Sequence, residues 1–323
     1  MAGVLSPRRS HLVSVLALAG LAACAAPPPR AAGSGDRVQV AVSVPPQAYF
    51  VDRIGGRRVE VQVMIPPGAS ETSYSPSPRQ LVALSRARLY VKVGHPAFLF
   101  EANHIDRFLA DHSEIRVIDM SAGIEPILEG EAEGRPESHG FFGEEHEPHP
   151  EHGEHAEGDP HVWVAPATVR VAAGNIARAL VAADPAHAEE YRRNLAAFLA
   201  EIDALDREIR GALAAGATRR FMVYHPAWGY FAREYGLEQV AIETGGREPS
   251  AGRLIEMIDR GRREGIRAVF VQRGFARKSA EVIAEALGGE VVVVDPMAYD
   301  WSASLRAATR AFRREIGREI RRG

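Results

Sequence analysis

From residue 38 onward, short apolar runs alternate with stretches whose apolar positions recur every three or four residues. Residues 38–44, 59–64, 89–93 and 115–118 are predicted as short buried strands, with helices near 48–54, 78–85 and 98–110. This is the βαβ rhythm of a parallel sheet covered by helices. Between 121 and 160 the pattern collapses into Gly, Glu, His and Pro, the composition of a mobile, solvated loop. Residues 166–183 then predict one helix, and Asp184-Pro185 breaks it. A long second helix carries Tyr191, Leu195, Phe198, Ile202, Leu205 and Ile209 at spacings of three and four. A second βα series follows, with strands at 221–224, 237–242, 268–272 and 291–294 and a last helix over about 303–318. The expected fold class is α/β: two lobes, each with a parallel four-stranded sheet flanked by helices, joined by a long bridging helix. Open α/β sheets bind ligands at the carboxyl ends of their strands, so the cleft between the lobes is the expected site.

The first 36 residues have another character. Arg8 and Arg9 precede a short apolar run that ends in Leu21-Ala22-Ala23-Cys24. A charged start, a short apolar core and small residues at a cut site describe a secretory signal, too short to span a bilayer. Leu-Ala-Ala-Cys resembles the bacterial lipobox, whose cysteine becomes the lipidated first residue of the mature chain. The domain plan is therefore a signal peptide at 1–23, a lipid-anchored tether rich in Ala, Pro and Gly at 24–36, and an N-terminal lobe at 37–165 that includes the loop 121–160. Bridging helices occupy 166–217 and a C-terminal lobe 218–323. Cys24 is the only cysteine, which excludes an internal disulfide and a thiolate metal site.

Composition narrows the chemistry. Of 323 residues, 46% are hydrophobic and 25% charged, which is enough apolar content to bury real cores. A net charge of -3 gives no global reason to expect nucleic acid as a partner. Histidine is the unusual component: six of twelve fall between His139 and His161, an enrichment typical of metal contact. Three segments place chemistry at strand ends or loop mouths. Asp159-Pro160-His161-Val162-Trp163 closes the His-rich loop, His225-Pro226-Ala227-Trp228-Gly229-Tyr230 follows an apolar strand, and Asp295-Pro296-Met297 follows another. Imidazole nitrogen with carboxylate oxygen is a borderline ligand set that suits zinc. Affinity for such a metal is expected to fall as pH drops through the histidine range near ~6.5.

These three segments resemble signature segments of the zinc- and manganese-binding receptor proteins of bacterial ABC importers. Pro66-Pro67-Gly68-Ala69-Ser70, Arg79-Gln80-Leu81, Glu248-Pro249-Ser250 and the long bridging helix are similar to that family too. The resemblance covers about residues 36–320 and implies two α/β lobes with a metal site between them. It implies His161, His225 and Asp295 as ligands, and His225, where manganese-type members often carry Glu, favours zinc over manganese. It also implies an extracytoplasmic or periplasmic monomer, anchored through Cys24, that hands zinc to a membrane permease.

One position departs from the family pattern. Gly68-Ala69-Ser70-Glu71-Thr72-Ser73-Tyr74 has Thr72 where the family places its first ligand histidine. His95 is the expected replacement, because Gly94-His95-Pro96-Ala97-Phe98 follows its strand much as His225-Pro226-Ala227-Trp228 follows its own. Glu71 and Glu101 are weaker alternatives. The loop residues His139, His146, His149, His152 and His155 lie among glutamates, as in the auxiliary zinc-collecting loops of the family, although a plain acidic linker has the same composition. Pro148 and Pro150 exclude the helical His-Glu-x-x-His face of a zinc hydrolase there. Gly245-Gly246 and Gly288-Gly289 lack the continuation of a phosphate loop, and Arg313, Arg314, Arg318, Arg321 and Arg322 mark a solvated helix face. The expected function is therefore zinc capture and delivery rather than enzymatic. The competing readings are a surface adhesin or metal buffer of the same fold, and a zinc-dependent hydrolase that uses a vacant coordination position.

Overall fold

In a computed structural model, described for residue 1 and residues 37–128, 158–215, 219–243, 246–275 and 277–318, each apolar run becomes one short parallel strand. Cys24, the tether and the five loop histidines lie outside the described residues. The first lobe contains β1 (Val38–Val42), α1 (Pro45–Gly55), β2 (Val59–Val63), α2 (Pro78–Leu84), β3 (Leu89–Lys92), α3 (Asp106–Ala110) and β4 (Arg116–Asp119). Two helices follow, α4 (Pro166–Ala183) and α5 (Ala188–Leu213). The second lobe contains β5 (Arg220–Val223), α6 (Gly229–Tyr235), β6 (Glu238–Ala241), α7 (Ala251–Glu264), β7 (Ala268–Val271), α8 (Lys278–Ala286), β8 (Glu290–Val293) and α9 (Trp301–Arg318).

The sheets are ordered β2-β1-β3-β4 and β6-β5-β7-β8, and every pairing is parallel. In both, the strand order reverses direction beside the first strand, so each has a switch point, between β1 and β3 and between β5 and β7. Local chemistry fixes the helix starts. Ser77 caps α2 through the Gln80 N–H, with Pro78 in the first turn, and Ser250 caps α7 through the Arg253 N–H.

One stretch folds differently from its periodicity. Residues 98–110, predicted as a single helix, contain a π-helical turn over Glu101–Ile105 before α3 begins. The buried Glu101 carboxylate accepts from the backbone N–H groups of Val93 (2.7 Å) and Gly94 (3.1 Å) and from the Ser43 hydroxyl. Those bonds hold Glu101 toward the end of β3, and the wide turn accommodates it. Burial pushes its carboxyl up to about 7.

Helix α5 bridges the two lobes. Its 26 residues span about 39 Å, and it packs on α1 of the first lobe, on α4, and on α9 of the second. Where they meet, Phe198 of α5 lies against Tyr49 and Phe50 of α1 and Trp301 of α9, with ring centroids 6.0–6.2 Å apart. Among the described residues no helix is long and apolar enough to cross a membrane. Phe198 is 1% exposed, so Phe198→Ala is expected to lower stability by about 3–5 kcal/mol in urea unfolding. Val82, 57% exposed, should tolerate Ala within about 0.5 kcal/mol.

Candidate metal site

Three side chains from different parts of the chain meet in the cleft. Glu71 lies on the connection between β2 and α2, His161 precedes α4, and His225 follows β5. The position of His161 is set by its neighbours. Trp163 donates its indole N–H to the Pro296 carbonyl (2.9 Å), and Trp301 donates to the Trp163 carbonyl (2.6 Å). The mouth of the His-rich loop closes beside it, where Asp159 N donates to Ile127 O (3.0 Å). His225 leaves the switch point of the second sheet and stacks on Phe275, with centroids 4.6 Å apart.

The donor atoms form a nearly equilateral triangle. His161 Nε2 is 3.3 Å from Glu71 Oε1, His225 Nε2 is 3.4 Å from the same oxygen, and the two Nε2 atoms are 3.3 Å apart. Ligands held about 2.0–2.1 Å from a tetrahedral zinc lie roughly 3.3 Å from one another. All three residues are buried, so the site matches zinc in both spacing and donor type.

A second layer orients each donor. His161 Nδ1 lies 2.7 Å from Asp159 Oδ1, and His225 Nδ1 lies 3.3 Å from Glu243 Oε1. Both carboxylates draw the ring proton to Nδ1, which leaves the Nε2 lone pair for a metal. Gly229 makes room for Asp159, because a Cβ there would collide with Asp159 Oδ2. Gln272 Nε2 donates to both Glu71 oxygens, at 3.0 and 2.8 Å. Two lone pairs facing each other at 3.3 Å repel unless a proton or cation stands between them.

The remaining sequence candidates lie apart from this triangle. Asp295 is half-buried, with Oδ1 accepting from Met297 N (3.0 Å) and Oδ2 paired with Arg273 Nε (3.4 Å). The donor atoms that gather within 4.8 Å belong to Glu71, His161 and His225, and include neither Asp295 nor His95. His95 Nδ1 accepts from Ala97 N (3.1 Å), so its neutral ring carries the proton on Nε2, which leaves no lone pair there for a metal. Thr72 turns its hydroxyl to Ser70 (2.9 Å), and Glu101 is committed to the backbone of Val93 and Gly94. Glu243 and Gln272, not among the sequence candidates, also stand just beyond apolar strands, the position that marks His225.

Electrostatics in the metal-free site follow from this crowding. Burial disfavours the charged His161 ring, but Asp159 and Glu71 outweigh it and lift the ring to about 9. Burial acts against the charged His225 ring as well, and Glu243 and Glu71 raise it above the usual histidine value. Burial would raise the Glu71 carboxyl, yet the two imidazoles hold it well below the usual carboxylate range. The pH range expected from an ordinary histidine therefore moves upward. A metal bound through His161 would have to displace its proton at any pH below about 9. Binding at pH 7.5 is expected to release about one proton or more, and affinity to fall roughly tenfold per pH unit on acidification. Titration calorimetry in buffers of different ionisation enthalpy measures this, and a buffer-independent binding heat would contradict it.

Comparison with known proteins agrees with the geometry. Residues 40–314 match the family described as ZnuA, zinc-uptake complex component A, periplasmic. A crystal structure of ZnuA is 36% identical, with a TM-score of 0.78 over 87% of this chain and 100% of that one. A zinc-bound ZnuA deletion mutant is also 36% identical, with a TM-score of 0.76 over 87% of this chain and 99% of that one. Zinc-binding lipoprotein AdcA of Streptococcus pneumoniae (serotype 4, strain ATCC BAA-334 / TIGR4) is 25% identical over 81% of this chain, which spans 50% of AdcA. With a match that spans nearly all of the two lobes, this chain belongs to the ZnuA family of zinc-uptake components.

Proposed function

We propose that this protein captures zinc outside the cytoplasm, as cargo, and delivers it to the membrane permease of an ABC importer. The observation that carries the reading is the triangle of Glu71 Oε1, His161 Nε2 and His225 Nε2, whose 3.3–3.4 Å edges suit tetrahedral zinc. These three residues are the ligands, with Glu71 taking the place expected for Asp295 and His95. Zinc draws Glu71 of the first lobe and His225 of the second onto one ion, beside His161 at the base of α4. Cargo binding therefore favours the arrangement in which the lobes meet. The division into an N-terminal lobe at 37–165, bridging helices at 166–217 and a C-terminal lobe at 218–323 follows the same logic. The chain acts as a monomeric receptor and not as an enzyme, and His139, His146, His149, His152 and His155 serve as auxiliary collecting ligands.

The N-terminal sequence and the family description, which includes a periplasmic component, support this location. Cleavage before Cys24 and its lipidation anchor the receptor to the membrane. Replacing Cys24 with Ser is expected to move the protein from membrane pellets to the soluble fraction. Wild-type protein that is soluble from the outset would remove the anchor.

The ligand assignment is tested by zinc titration of Glu71→Ala, His161→Ala and His225→Ala. Each is expected to weaken tight binding by at least about 100-fold, beyond the ~10–100-fold cost of losing an outer-shell partner, with the circular dichroism spectrum intact. Unchanged titrations in the two histidine variants would reject the site. Cells that depend on this receptor should grow in zinc-poor medium with the wild-type chain and fail with His225→Ala.

A further inference from the structure

The turn that follows β7 touches two carboxylates and treats them in opposite ways. Gln272, 5% exposed, directs its amide nitrogen at both oxygens of Glu71 and so holds a first-lobe side chain from the second lobe. The next residue, Arg273, directs Nε at Asp295 Oδ2 (3.4 Å), and the other Asp295 oxygen accepts from Met297 N (3.0 Å). Gly274, at φ +86°, completes the turn by bringing its backbone against the loop that carries Glu71. A Cβ at this position would stand 2.8 Å from the Gly68 carbonyl oxygen, closer than real Cβ contacts come. One turn therefore presents Glu71 to the histidines and engages one oxygen of Asp295, while the backbone N–H of Met297 holds the other.

We propose that the Gln272–Gly274 turn determines metal specificity by admitting Glu71 to the site and withholding Asp295 from it. The proposal rests on the receptor reading above. Its consequence is a matter of donor chemistry. Two imidazole nitrogens and one carboxylate form a set suited to zinc, whereas a second carboxylate would make the site harder and move it toward manganese. Arg273 has a 69% exposed side chain, so its hold on Asp295 is solvent-screened and amounts to about fivefold at most. The restraint is strong enough to bias a choice between two metals and weak enough to be removed without unfolding the lobe.

Zinc and manganese affinities of the full chain, measured by competition with a chromophoric chelator, test the proposal. Asp295→Ala is expected to leave zinc affinity within about threefold, as fits a group outside the ligand set. Arg273→Ala is expected to raise manganese affinity relative to zinc by about two- to fivefold. Adding Asp295→Ala to Arg273→Ala should abolish that gain. Gln272→Ala should weaken zinc binding by about tenfold, and should add nothing in a Glu71→Ala background. The proposal is overturned if Asp295→Ala alone weakens zinc as much as His225→Ala, because Asp295 would then already be a ligand. It is equally overturned if Arg273→Ala changes no preference, or if the change survives removal of Asp295. Failure of the receptor reading has a different signature, since His161→Ala and His225→Ala would then leave zinc binding unchanged.

Discussion

Crowding a carboxylate and two imidazoles to within 3.4 Å of one another, away from water, is the constraint around which this molecule is arranged. Uncompensated charge and facing lone pairs in a buried cleft cost free energy that a proton or a cation offsets. The surrounding structure resists the side chains' escape from one another. Asp159 and Glu243 fix the two ring orientations, Gln272 fixes the carboxylate, and paired indole hydrogen bonds from Trp163 and Trp301 fix the segment that carries His161. Helix α5 extends the same restraint to the scale of the lobes, because it packs on α1 at one side and on α9 at the other. A site formed in advance in this way would, on the proposed ligand set, exchange a proton for a metal with little rearrangement of Glu71, His161 and His225.

The layout also explains how one fold divides its labour. The second sheet contributes His225 and Gln272 from the carboxyl ends of β5 and β7, the two strands that flank its switch point. The first lobe contributes Glu71 from a longer connection, and the contact between Gly274 and the Gly68 carbonyl brings that connection under the second lobe. Backbone packing and, under the proposed ligand set, the metal therefore act on the same pair of surfaces.

Much of this was legible in the sequence, for identifiable reasons. The mostly buried strands β1, β3, β5, β6 and β7 appear as apolar runs, and β2, β4 and β8, which are more exposed than the buried strands expected there, were located because turn residues punctuate them. The spacing of Tyr191, Phe198, Ile202, Leu205 and Ile209 gave the buried face of α5 directly. His161 and His225 stood out because a polar side chain directly after an apolar segment at a strand end or loop mouth has few places to point except the cleft. The π turn at Glu101 was not legible, since it depends on a long-range bond from that carboxylate to Val93 and Gly94. Glu71 is only a secondary candidate in the sequence because Thr72, one position on, occupies the place where the family carries histidine. A side chain one residue away on an irregular loop can reach the same point in space, and periodicity has no bearing on such a loop. Glu243 and Gln272 gained meaning only from the directions of His225 and Glu71, which are tertiary facts.

The identity of the third ligand is the central claim, and it is directly measurable. Crystals grown with zinc and recorded on both sides of the zinc absorption edge would locate the ion without reference to the protein. The account predicts one strong anomalous peak about 2.0–2.2 Å from Glu71 Oε1, His161 Nε2 and His225 Nε2, with Asp295 still paired to Arg273. A peak bonded to Asp295 or His95 in place of Glu71 would contradict it.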